Sequence, residues 1–371
     1  MTTTTGQPAG APASDDAAAA EQLAGRLFLA AVDMVELLNV YLGHTHGLYR
    51  RLADTGPVGC DQLARDAGLD RRYLREWLQS QAVAGFVTMT GTDLDTASFR
   101  LAPGGREVLV DETSPAYLAP LAQCATAAAR VLPDLVEAFR TGAGVPYASY
   151  GPEAVSAQAA LNRPAYVHEL ATHWVPAVPD LAGLLAGPAQ VADVGCGTGW
   201  AAIELAVAHP SIRVHGYDSD EASIAAARRN AIERGVSERV TFEVSDLRET
   251  APGTPRYDAV LLFECLHDMT APALVLRTVR GMLAEQAVVI VADERADETL
   301  VAPSDDPVQR FLAGISPLWC FPQAVGGPDD QPYGAVFRPS HVREVARQAG
   351  FSGVEVLPID HPSWRFYRLR G

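Results

Sequence analysis

The chain has 371 residues with 29 basic and 45 acidic side chains, which gives a formal net charge of -16 at pH 7. Every basic residue is an arginine, so the chain cannot form a lysine Schiff base, a lysine-containing phosphate loop or a kinase-type ATP site. The acidic balance argues against general binding to nucleic acid or to anionic membranes. Five cysteines without a C-x-x-C pair indicate reduced thiols and a cytoplasmic location, and we expect neither a disulfide framework nor a metal site.

Residues 1–20 are rich in Thr, Ala, Pro and Gly and lack large apolar side chains beyond Met1. Such a segment buries too little surface to offset the entropy lost on ordering, so we predict a disordered tail. It also lacks the basic start and apolar run of a signal peptide, and no uninterrupted apolar span of about 18 residues follows it. We therefore expect a soluble protein that does not cross a membrane.

Residues 21–113 predict a winged-helix domain. After a first amphipathic helix, a second helix begins at Asp61 and a third spans 71–84, with a glycine turn between them. Short strands over 86–90 and 98–101 then form a β-wing. The order helix, turn, helix and wing is typical of winged-helix folds.

The basic side chains of this domain do not indicate DNA binding. Arg71, Arg72 and Arg75 lie on the helix that would read DNA, but residues 21–120 hold nine Arg against thirteen acidic residues. A winged helix without a basic surface more often serves packing or dimerisation. We expect no nucleic-acid partner.

Residues 114–185 predict a mostly helical connector with several prolines. Its aromatic side chains include Tyr147 and Tyr150 in the stretch VPYASYG. Two interpretations stay open, namely packing between domains and the wall of a substrate pocket, because aromatic faces with polar tips suit small planar ligands.

Residues 186–371 alternate between strands and amphipathic helices. The first strand begins near Ala189, and further strands end at Asp218, Asp246 and Phe263. This alternation is typical of a doubly wound α/β fold with a mostly parallel sheet. Open sheets of this kind bind ligands at the carboxyl ends of their strands, so we expect the site there.

The turn after the first of these strands reads Asp193-Val-Gly195-Cys-Gly197-Thr-Gly199. A dinucleotide fingerprint has the spacing G-x-G-x-x-G and places pyrophosphate at a helix N-terminus. Here the spacing is G-x-G-x-G, and the preceding carboxylate repels pyrophosphate but can accept a hydrogen bond from an ammonium group. We predict Asp193, Gly195 and Gly197 as cofactor contacts.

Two further carboxyl groups stand at the ends of the next strands. Asp218, nineteen residues after the glycine turn, can accept both ribose hydroxyls, and Asp246 beside Leu247 can accept an adenine amino group. Three acids and a glycine-rich turn suit a nucleoside without phosphates that carries a cationic amino-acid part, as S-adenosylmethionine does. Ser219 and Phe263 complete the predicted cofactor contacts.

The motifs DVGCGTG, YD and SD resemble those of the class I S-adenosylmethionine-dependent methyltransferases. RRYLREWL, NRPAYVHEL, THWVPA and FECLHDM extend the resemblance, over residues 23–371, to bacterial small-molecule methyltransferases with an N-terminal winged helix. It implies a seven-stranded Rossmann-like sheet ending in one antiparallel strand, a substrate bound against the sheet's carboxyl edge, and a homodimer. Trp200 departs from the pattern, in which a small residue more often follows the glycines.

The motif FECLHDM contains the candidate base. A hydroxyl or NH acceptor loses a proton during methyl transfer, and histidine suits that task because its pKa lies near 7. By the resemblance, His267 takes this role; the alternative is that it only caps or packs the next helix. Glu264 or Glu294 could orient the imidazole, while Asp268 is a doubtful orienter. The catalytic candidates are therefore His267, Glu264 and Asp268.

The substrate contacts predicted from the sequence are Tyr147, Tyr150, Arg163 and Trp319. Arg163 is chosen because a chain without lysine has only arginine to pair with a substrate carboxylate. Residues 301–332 are long and irregular with an apolar LWCFP core, and they either close over the substrate or only pack.

We predict a methyltransferase that acts at O, N or C of a small, aromatic, specialised metabolite. Two alternatives stay open. One is an enzyme of the same fold that binds the cofactor but catalyses cyclisation, hydroxylation or decarboxylation. The other is a ligand-responsive regulator that binds DNA through its winged helix.

Overall fold

The computed structural model describes residues 13–249, 256–327 and 332–371. The chain divides into two compact units, with the boundary between Val110 and Asp111. A separate connector over 114–185 stays a prediction, since this segment belongs to the second unit. Among the described residues, no helix combines the length and apolar character that a membrane span needs.

The first unit has the helices and the three-stranded wing of a winged-helix domain. The three strands pair antiparallel, with Ser98–Leu101 between Val58–Gly59 and Val87–Thr90. The Asp70 side chain caps the helix Arg71–Ala84 by accepting the backbone N–H of Arg72 at 2.9 Å. The two helices and two wing strands predicted from the sequence are thus confirmed. The elements are α1 (Ala13–Thr45), α2 (Leu48–Thr55), β1 (Val58–Gly59), α3 (Cys60–Ala67), α4 (Arg71–Ala84), β2 (Val87–Thr90), β3 (Ser98–Leu101) and α5 (Gly105–Leu109).

Helix α1 begins earlier than the sequence pattern indicated. Part of the tail predicted as disordered, residues 1–12, lies outside the described residues, but residues 13–20 are helical. The prediction is wrong for this part because the segment is rich in alanine, which has the highest helix propensity.

The second unit opens with helices that precede the sheet. A π-helical segment starts at Tyr166, directly after the helix Pro152–Ala165, and segments of this kind are frequent at functional sites. The elements are α6 (Pro120–Arg130), α7 (Leu132–Thr141), a 3₁₀ turn (Tyr147–Tyr150), α8 (Pro152–Ala165), the π-helical segment (Tyr166–Trp174) and α9 (Pro179–Leu185).

A seven-stranded sheet with helices on both faces forms the rest of this unit. Its elements are β4 (Gln190–Val194), α10 (Trp200–Ala208), β5 (Arg213–Asp218), α11 (Glu221–Glu233), β6 (Val240–Val244), β7 (Tyr257–Phe263), a 3₁₀ turn (Leu266–Asp268), α12 (Pro272–Gly281), β8 (Leu283–Glu294), α13 (Pro307–Ile315), a 3₁₀ turn (Ser316–Leu318), α14 (Cys320–Ala324), α15 (Pro339–Ala349), β9 (Gly353–Val356) and β10 (Trp364–Arg370).

The strand order is β6-β5-β4-β7-β8-β10-β9, with β10 antiparallel to both of its neighbours and the first five strands parallel. Strand β7 (YDAVLLF) is almost wholly buried, as expected for a parallel strand covered on both faces. The doubly wound fold predicted from the sequence is confirmed. Its topology brings the ends of β4, β5, β7 and β8 to one edge.

The stretch 301–332 is more regular than predicted. It holds α13 and α14. Their apolar side chains pack against side chains of the helices that precede the sheet and against Tyr150. The backbone N–H of Val145 donates to the carbonyl of Pro322 at 2.9 Å. Residues 328–331 of this stretch lie outside the described residues.

Candidate cofactor and substrate cavity

A cavity of about 420 Å³ opens at the carboxyl edge of the sheet. Most of the predicted site residues line it. Those that do are Tyr147, Gly195, Gly197, Asp218, Ser219, Asp246, Leu247, Phe263, Glu264 and Asp268.

The glycine turn uses a backbone geometry that side chains rarely adopt. Gly195, Gly197 and Gly199 all have positive φ, at 67°, 52° and 82°. A Cβ at Gly195 would lie 2.6 Å from the Cβ of Cys265, whereas a Cβ at Gly197 would meet nothing within 4 Å. The turn therefore packs tightly on one side and leaves the backbone open to a ligand at Gly197.

Asp193 lies just behind this turn and is almost completely buried. Its Oδ2 accepts the backbone N–H of Ala202, in the first turn of α10, at 3.2 Å. Burial, with a smaller contribution from the nearby carboxylate of Asp218, raises the pKa of Asp193 to about 7 although the N–H of Ala202 lowers it. A cation close to this carboxyl group would stabilise its ionised form, which fits the predicted contact with an ammonium group.

Asp218 ends β5 and is half-buried in the cavity wall. Its Oδ2 accepts the backbone N–H of Gly197 at 2.8 Å, and its Oδ1 accepts that of Asp220 at 2.9 Å. Burial raises its pKa despite these hydrogen bonds. The carboxylate is thus held in place by backbone groups, with lone pairs left to accept the hydroxyls of a ribose.

Asp246 forms an ion pair that the sequence did not predict. Both carboxylate oxygens accept from the guanidinium of Arg248, with Nε at 3.0 Å from Oδ1 and 2.9 Å from Oδ2. This partner lowers the pKa of Asp246. The adenine contact of Asp246 stays a prediction, and the base has to share the carboxylate with Arg248.

Glu264 follows β7 in the left-handed region, with φ at 52°, and its N–H donates to the carbonyl of Ala292 at 2.7 Å. This conformation turns its carboxyl group to α8, where the side-chain amide of Asn162 donates to it. Burial, followed by the charge of Glu294, raises the pKa of Glu264 well above its ordinary value. Such backbone strain is typical of functional sites.

His267 pairs with Asp293, not with Glu264 or Glu294. Its Nδ1 lies 2.7 Å from Oδ1 of Asp293, and both side chains are buried. The prediction of the orienting residue is wrong because Glu264 turns away to Asn162 and because β8 continues beside β7 to place Asp293 next to the imidazole.

The His267 imidazole also contacts the Cys320 thiol from α14. Burial alone would lower the pKa of His267, but Asp293 and then Cys320 outweigh it, so the pKa lies well above its ordinary value. His267 is 2% exposed and does not line the cavity. It stands behind the wall that Glu264 and Asp268 form.

Two more carboxyl groups surround this pair. Burial raises the pKa of Asp268 to about 6 and that of Glu294 to about 7, although the charge of His267 lowers both. Burial therefore moves the titration of both carboxyl groups towards neutral pH.

The four predicted substrate contacts take different positions. Tyr147 lines the cavity and donates to the amide oxygen of Gln158 at 3.2 Å. Tyr150 is 1% exposed, donates to the carbonyl of Leu318 at 3.0 Å and packs on Trp319. Those two residues belong to the packing between the preceding helices and α14, so they do not line the cavity.

Arg163 also lies outside the cavity lining. Its guanidinium stacks 3.9 Å above the ring of Trp200, and it lies 3.7 Å from Glu112. The ring of Trp200, which lines the cavity, separates it from the ligand space. Arg163, Tyr150 and Trp319 therefore lie outside the cavity lining in this structure, and their contact with a substrate stays a prediction.

Sequence reasoning missed Asp293 and Asn162, and it placed Tyr166 only among the aromatic residues of the connector, as packing or as a pocket wall. Asn162 and Tyr166 stand in the NRPAYVHEL motif, and Asp293 ends the fifth parallel strand, where an acid was visible. Asn162 and Asp293 matter because they bond to Glu264 and His267, which lie more than 20 residues away in the sequence. A local sequence pattern does not contain such contacts.

Comparison with known proteins agrees with this geometry. Residues 188–316 match a family described as a methyltransferase domain, and residues 35–109 match an Rv2258c-like winged HTH domain. A ubiquinone biosynthesis O-methyltransferase of Pseudomonas syringae pv. tomato is 32% identical over 205 residues, which cover 55% of this chain and 80% of that protein.

Solved structures share the whole fold. The structure of mitomycin 7-O-methyltransferase has a TM-score of 0.67 at 20% identity, covering 96% of this chain and 99% of that one. Human N-acetylserotonin methyltransferase, solved with S-adenosylmethionine, has a TM-score of 0.68 at 16% identity, covering 94% and 98%.

The fold and the site define an S-adenosylmethionine-dependent methyltransferase. The chain belongs to the class I methyltransferases that carry an N-terminal winged-helix domain, and it is an enzyme of O-methyltransferase type that acts on small molecules.

The described residues fit the cofactor, which supplies an electrophilic methyl group when bound. The backbone at Gly197 is open, and its N–H donates to the carboxylate of Asp218, while the carboxyl of Asp193 is buried behind the glycine turn. We expect Asp193 to face the ammonium group and Asp218 the ribose hydroxyls. These residue roles stay predictions.

Proposed function

We propose that the enzyme methylates a hydroxyl or ring NH of a small aromatic metabolite and that His267 is the base. The observation that carries the proposal is the buried His267–Asp293 pair directly behind the cavity wall. Asp293 holds Nδ1, so Nε2 is the nitrogen that takes the proton. The Cys320 thiol contacts the imidazole. For the acceptor to reach His267, α14 therefore has to shift so that the acceptor takes the place of the thiol.

The aromatic nature of the acceptor is supported by the cavity wall. Tyr166 stacks on Phe263 with ring centroids 6.2 Å apart and planes at 19°, and both residues line the cavity. Flat apolar faces of this kind favour planar ligands. Three similar proteins are a ubiquinone biosynthesis O-methyltransferase, mitomycin 7-O-methyltransferase and N-acetylserotonin methyltransferase. Each is named after a small molecule, which supports a metabolite as the acceptor.

The test combines binding, turnover and product mass. Calorimetry with S-adenosylhomocysteine measures cofactor binding, and mass spectrometry of reactions with a panel of phenols and indoles detects the gain of one methyl group. His267→Ala should lower kcat by about two to four decades and leave the cofactor Kd nearly unchanged. Unchanged turnover would remove His267 as the base, and a product without added methyl would favour the non-methylating alternative.

A homodimer is also part of the proposal. Helix α1 exposes a run of large apolar side chains, including Leu27 at 74% and Phe28 at 69% exposure, and a second copy of the chain would cover them. Light scattering should give a dimer for the wild type and a monomer for Phe28→Glu. The matched control is Tyr73→Glu, which changes an equally exposed side chain on α4.

DNA is not proposed as a partner. Arg71 and Arg75 both pair with Asp95, at 2.8 and 3.1 Å, and Arg72 pairs with Asp70 at 3.3 Å. These acids neutralise the positive charge that phosphate binding requires. A gel shift with excess competitor DNA should show no specific complex. The five cysteines are unpaired thiols, which supports a cytoplasmic location as part of the same proposal.

A further inference from the structure

We infer that the methyl acceptor carries a basic nitrogen, cationic in water, which binds between the Tyr166 hydroxyl and the carboxyl groups of Glu264 and Asp268. The inference rests on the proposed function, because it names the substrate class of the same cavity. It concerns charge and hydrogen bonding at one wall, which we call the acceptor wall and define as Asn162, Tyr166, Glu264 and Asp268.

Four carboxyl groups meet around one imidazole behind and along this wall. They belong to Glu264, Asp268, Asp293 and Glu294, and, besides burial, the charge of Asp293 contributes to raising the pKa of each of the other three. His267 is their basic partner, and its charge lowers the pKa of Glu264, Asp268 and Glu294 without restoring the ordinary values. A bound cation beside these groups would favour their ionised forms further.

Other titratable groups face this cluster without supplying a cation. They are the phenols of Tyr147 and Tyr166, the thiols of Cys124, Cys265 and Cys320, and the carboxyl groups of Asp193 and Asp218. Among the described lining residues, Arg248 is the one with a cationic side chain, and it already pairs with Asp246. An acceptor with a carboxylate would therefore meet a negative wall without a counter-charge.

Tyr166 provides an independent sign that a ligand binds at this wall. The residue is 8% exposed and lines the cavity, and no described residue hydrogen-bonds to its hydroxyl. Its ring is held by stacking on Trp364 at 5.8 Å and by edge contact with Trp174 at 6.0 Å. Buried hydroxyls normally have a partner, so this one is positioned for an atom of the ligand.

A second polar atom is also left without a partner. Oδ1 of Asp293 accepts from His267 and from the backbone N–H of Glu294, but Oδ2 has no hydrogen bond in the described part of the chain, although the residue is fully buried. Asp293 is not among the lining residues, so this oxygen adds negative potential behind the wall and does not itself contact a ligand. A primary ammonium group has three N–H donors and a positive charge, so one such group can donate to the Tyr166 hydroxyl and to the carboxyl groups of Glu264 and Asp268 together.

The experiment compares matched aromatic amines and acids as ligands of the enzyme saturated with S-adenosylhomocysteine. The pairs are phenethylamine with 3-phenylpropionate and tryptamine with indole-3-propionate, and calorimetry measures each Kd at pH 7. We expect at least one amine to bind about tenfold or more tightly than its matched acid. Glu264→Gln should remove most of this preference, whereas Glu285→Gln, an equal charge change at an exposed position of β8, should keep it.

Proton release provides a second readout. A bound cation favours the ionised form of carboxyl groups whose pKa is raised, so binding of the amine should release protons, and its enthalpy should depend on the ionisation enthalpy of the buffer. The absence of an amine preference in both pairs, or a preference kept in Glu264→Gln, would overturn the inference. The inference would also be overturned if Glu264→Gln lost affinity for S-adenosylmethionine but not for S-adenosylhomocysteine. The carboxyl groups would then bind the positive sulfonium of the cofactor and not a cationic acceptor.

The proposed function can fail separately. If S-adenosylhomocysteine binds and a neutral phenol is methylated while no amine binds better than its acid, the inference fails and the proposed function stands. If S-adenosylhomocysteine does not bind, the proposed function itself fails. The thermal unfolding midpoint of each variant, measured with S-adenosylhomocysteine present, shows whether it is folded.

Discussion

Asp293 lies 2.7 Å from Nδ1 of His267, and both side chains are buried at the ends of neighbouring elements. An imidazole held at Nδ1 by a carboxylate has a fixed ring orientation and a fixed tautomer. The carboxylate also stabilises the imidazolium that forms when the base takes a proton. The relationship thus favours Nε2 as the reactive nitrogen.

The first prediction concerns the charge of Asp293. Asp293→Asn keeps the shape of the side chain but removes its negative charge, so burial should dominate and lower the pKa of His267. The rising limb of kcat against pH should move to lower pH, because the imidazole loses its proton earlier. The maximum of kcat should fall by about two decades or more, since the imidazolium is less stabilised.

The control for this variant is Asp360→Asn, an equal change at an exposed residue that pairs with Arg295. It should leave the pH profile as in the wild type. A pH profile of Asp293→Asn that is unchanged or shifted to higher pH would show that Asp293 does not control the pKa of the catalytic base.

Much of the fold could be predicted because its signals are local. The apolar run of β7 and the glycine turn each occupy fewer than ten residues, and each takes the predicted structure. Helices α13 and α14 were missed because their first turns contain proline and short irregular segments separate them.

The candidate site was predictable only in part. Carboxyl groups at strand ends, such as Asp218, follow from the alternation of strands and helices. The partner of His267 does not, because a left-handed φ at Glu264 sends that side chain to Asn162 and leaves the imidazole to Asp293. A backbone angle of this kind at a glutamate has no sequence signature.

The second prediction concerns stability as a function of pH. In the folded state burial raises the pKa of Asp193 and Glu294 to about 7 and that of Asp268 to about 6. A raised folded pKa means that the stability is full below the unfolded value, near 4, and is lost as pH rises through 6 to 7. The free energy of unfolding without ligand should fall between pH 5 and pH 8, by about 1.4 kcal/mol for each pH unit over which one of these groups is protonated in the folded state alone.

Urea unfolding at several pH values measures this slope. Asp268→Asn should flatten it, since an amide does not ionise, and Asp360→Asn should not. Stability that increases from pH 5 to pH 8 would contradict the prediction.

The third prediction separates the two tyrosines of the 3₁₀ turn. Tyr150→Phe removes a buried hydroxyl that donates to the carbonyl of Leu318, so the free energy of unfolding should fall by about 1 kcal/mol while KM for the acceptor stays unchanged. Tyr147→Phe changes a residue of the cavity wall and should raise KM with little effect on stability. Urea unfolding and steady-state kinetics distinguish the two, and the reverse pattern would return Tyr150 to the substrate site.

The fourth prediction compares two glycines of the same turn. Both Gly197 and Gly199 have positive φ, so alanine at either position costs about 1 kcal/mol of backbone strain. At Gly199 the new Cβ would also collide with the ring of Phe242 and lie 3.0 Å from the Cβ of Ala227. Overpacking of this kind adds about 1–3 kcal/mol, so Gly199→Ala should be the less stable variant in urea unfolding.

The effect on the cofactor should have the opposite order. A Cβ at Gly197 meets no protein atom within 4 Å, and the residue lines the cavity, so the methyl group would occupy ligand space. Gly197→Ala should therefore weaken S-adenosylhomocysteine binding at least about tenfold in calorimetry while remaining folded, because close backbone approach requires glycine. Wild-type affinity in Gly197→Ala would show that the cofactor does not contact this turn, and the assignment of Asp193 and Asp218 would fail with it.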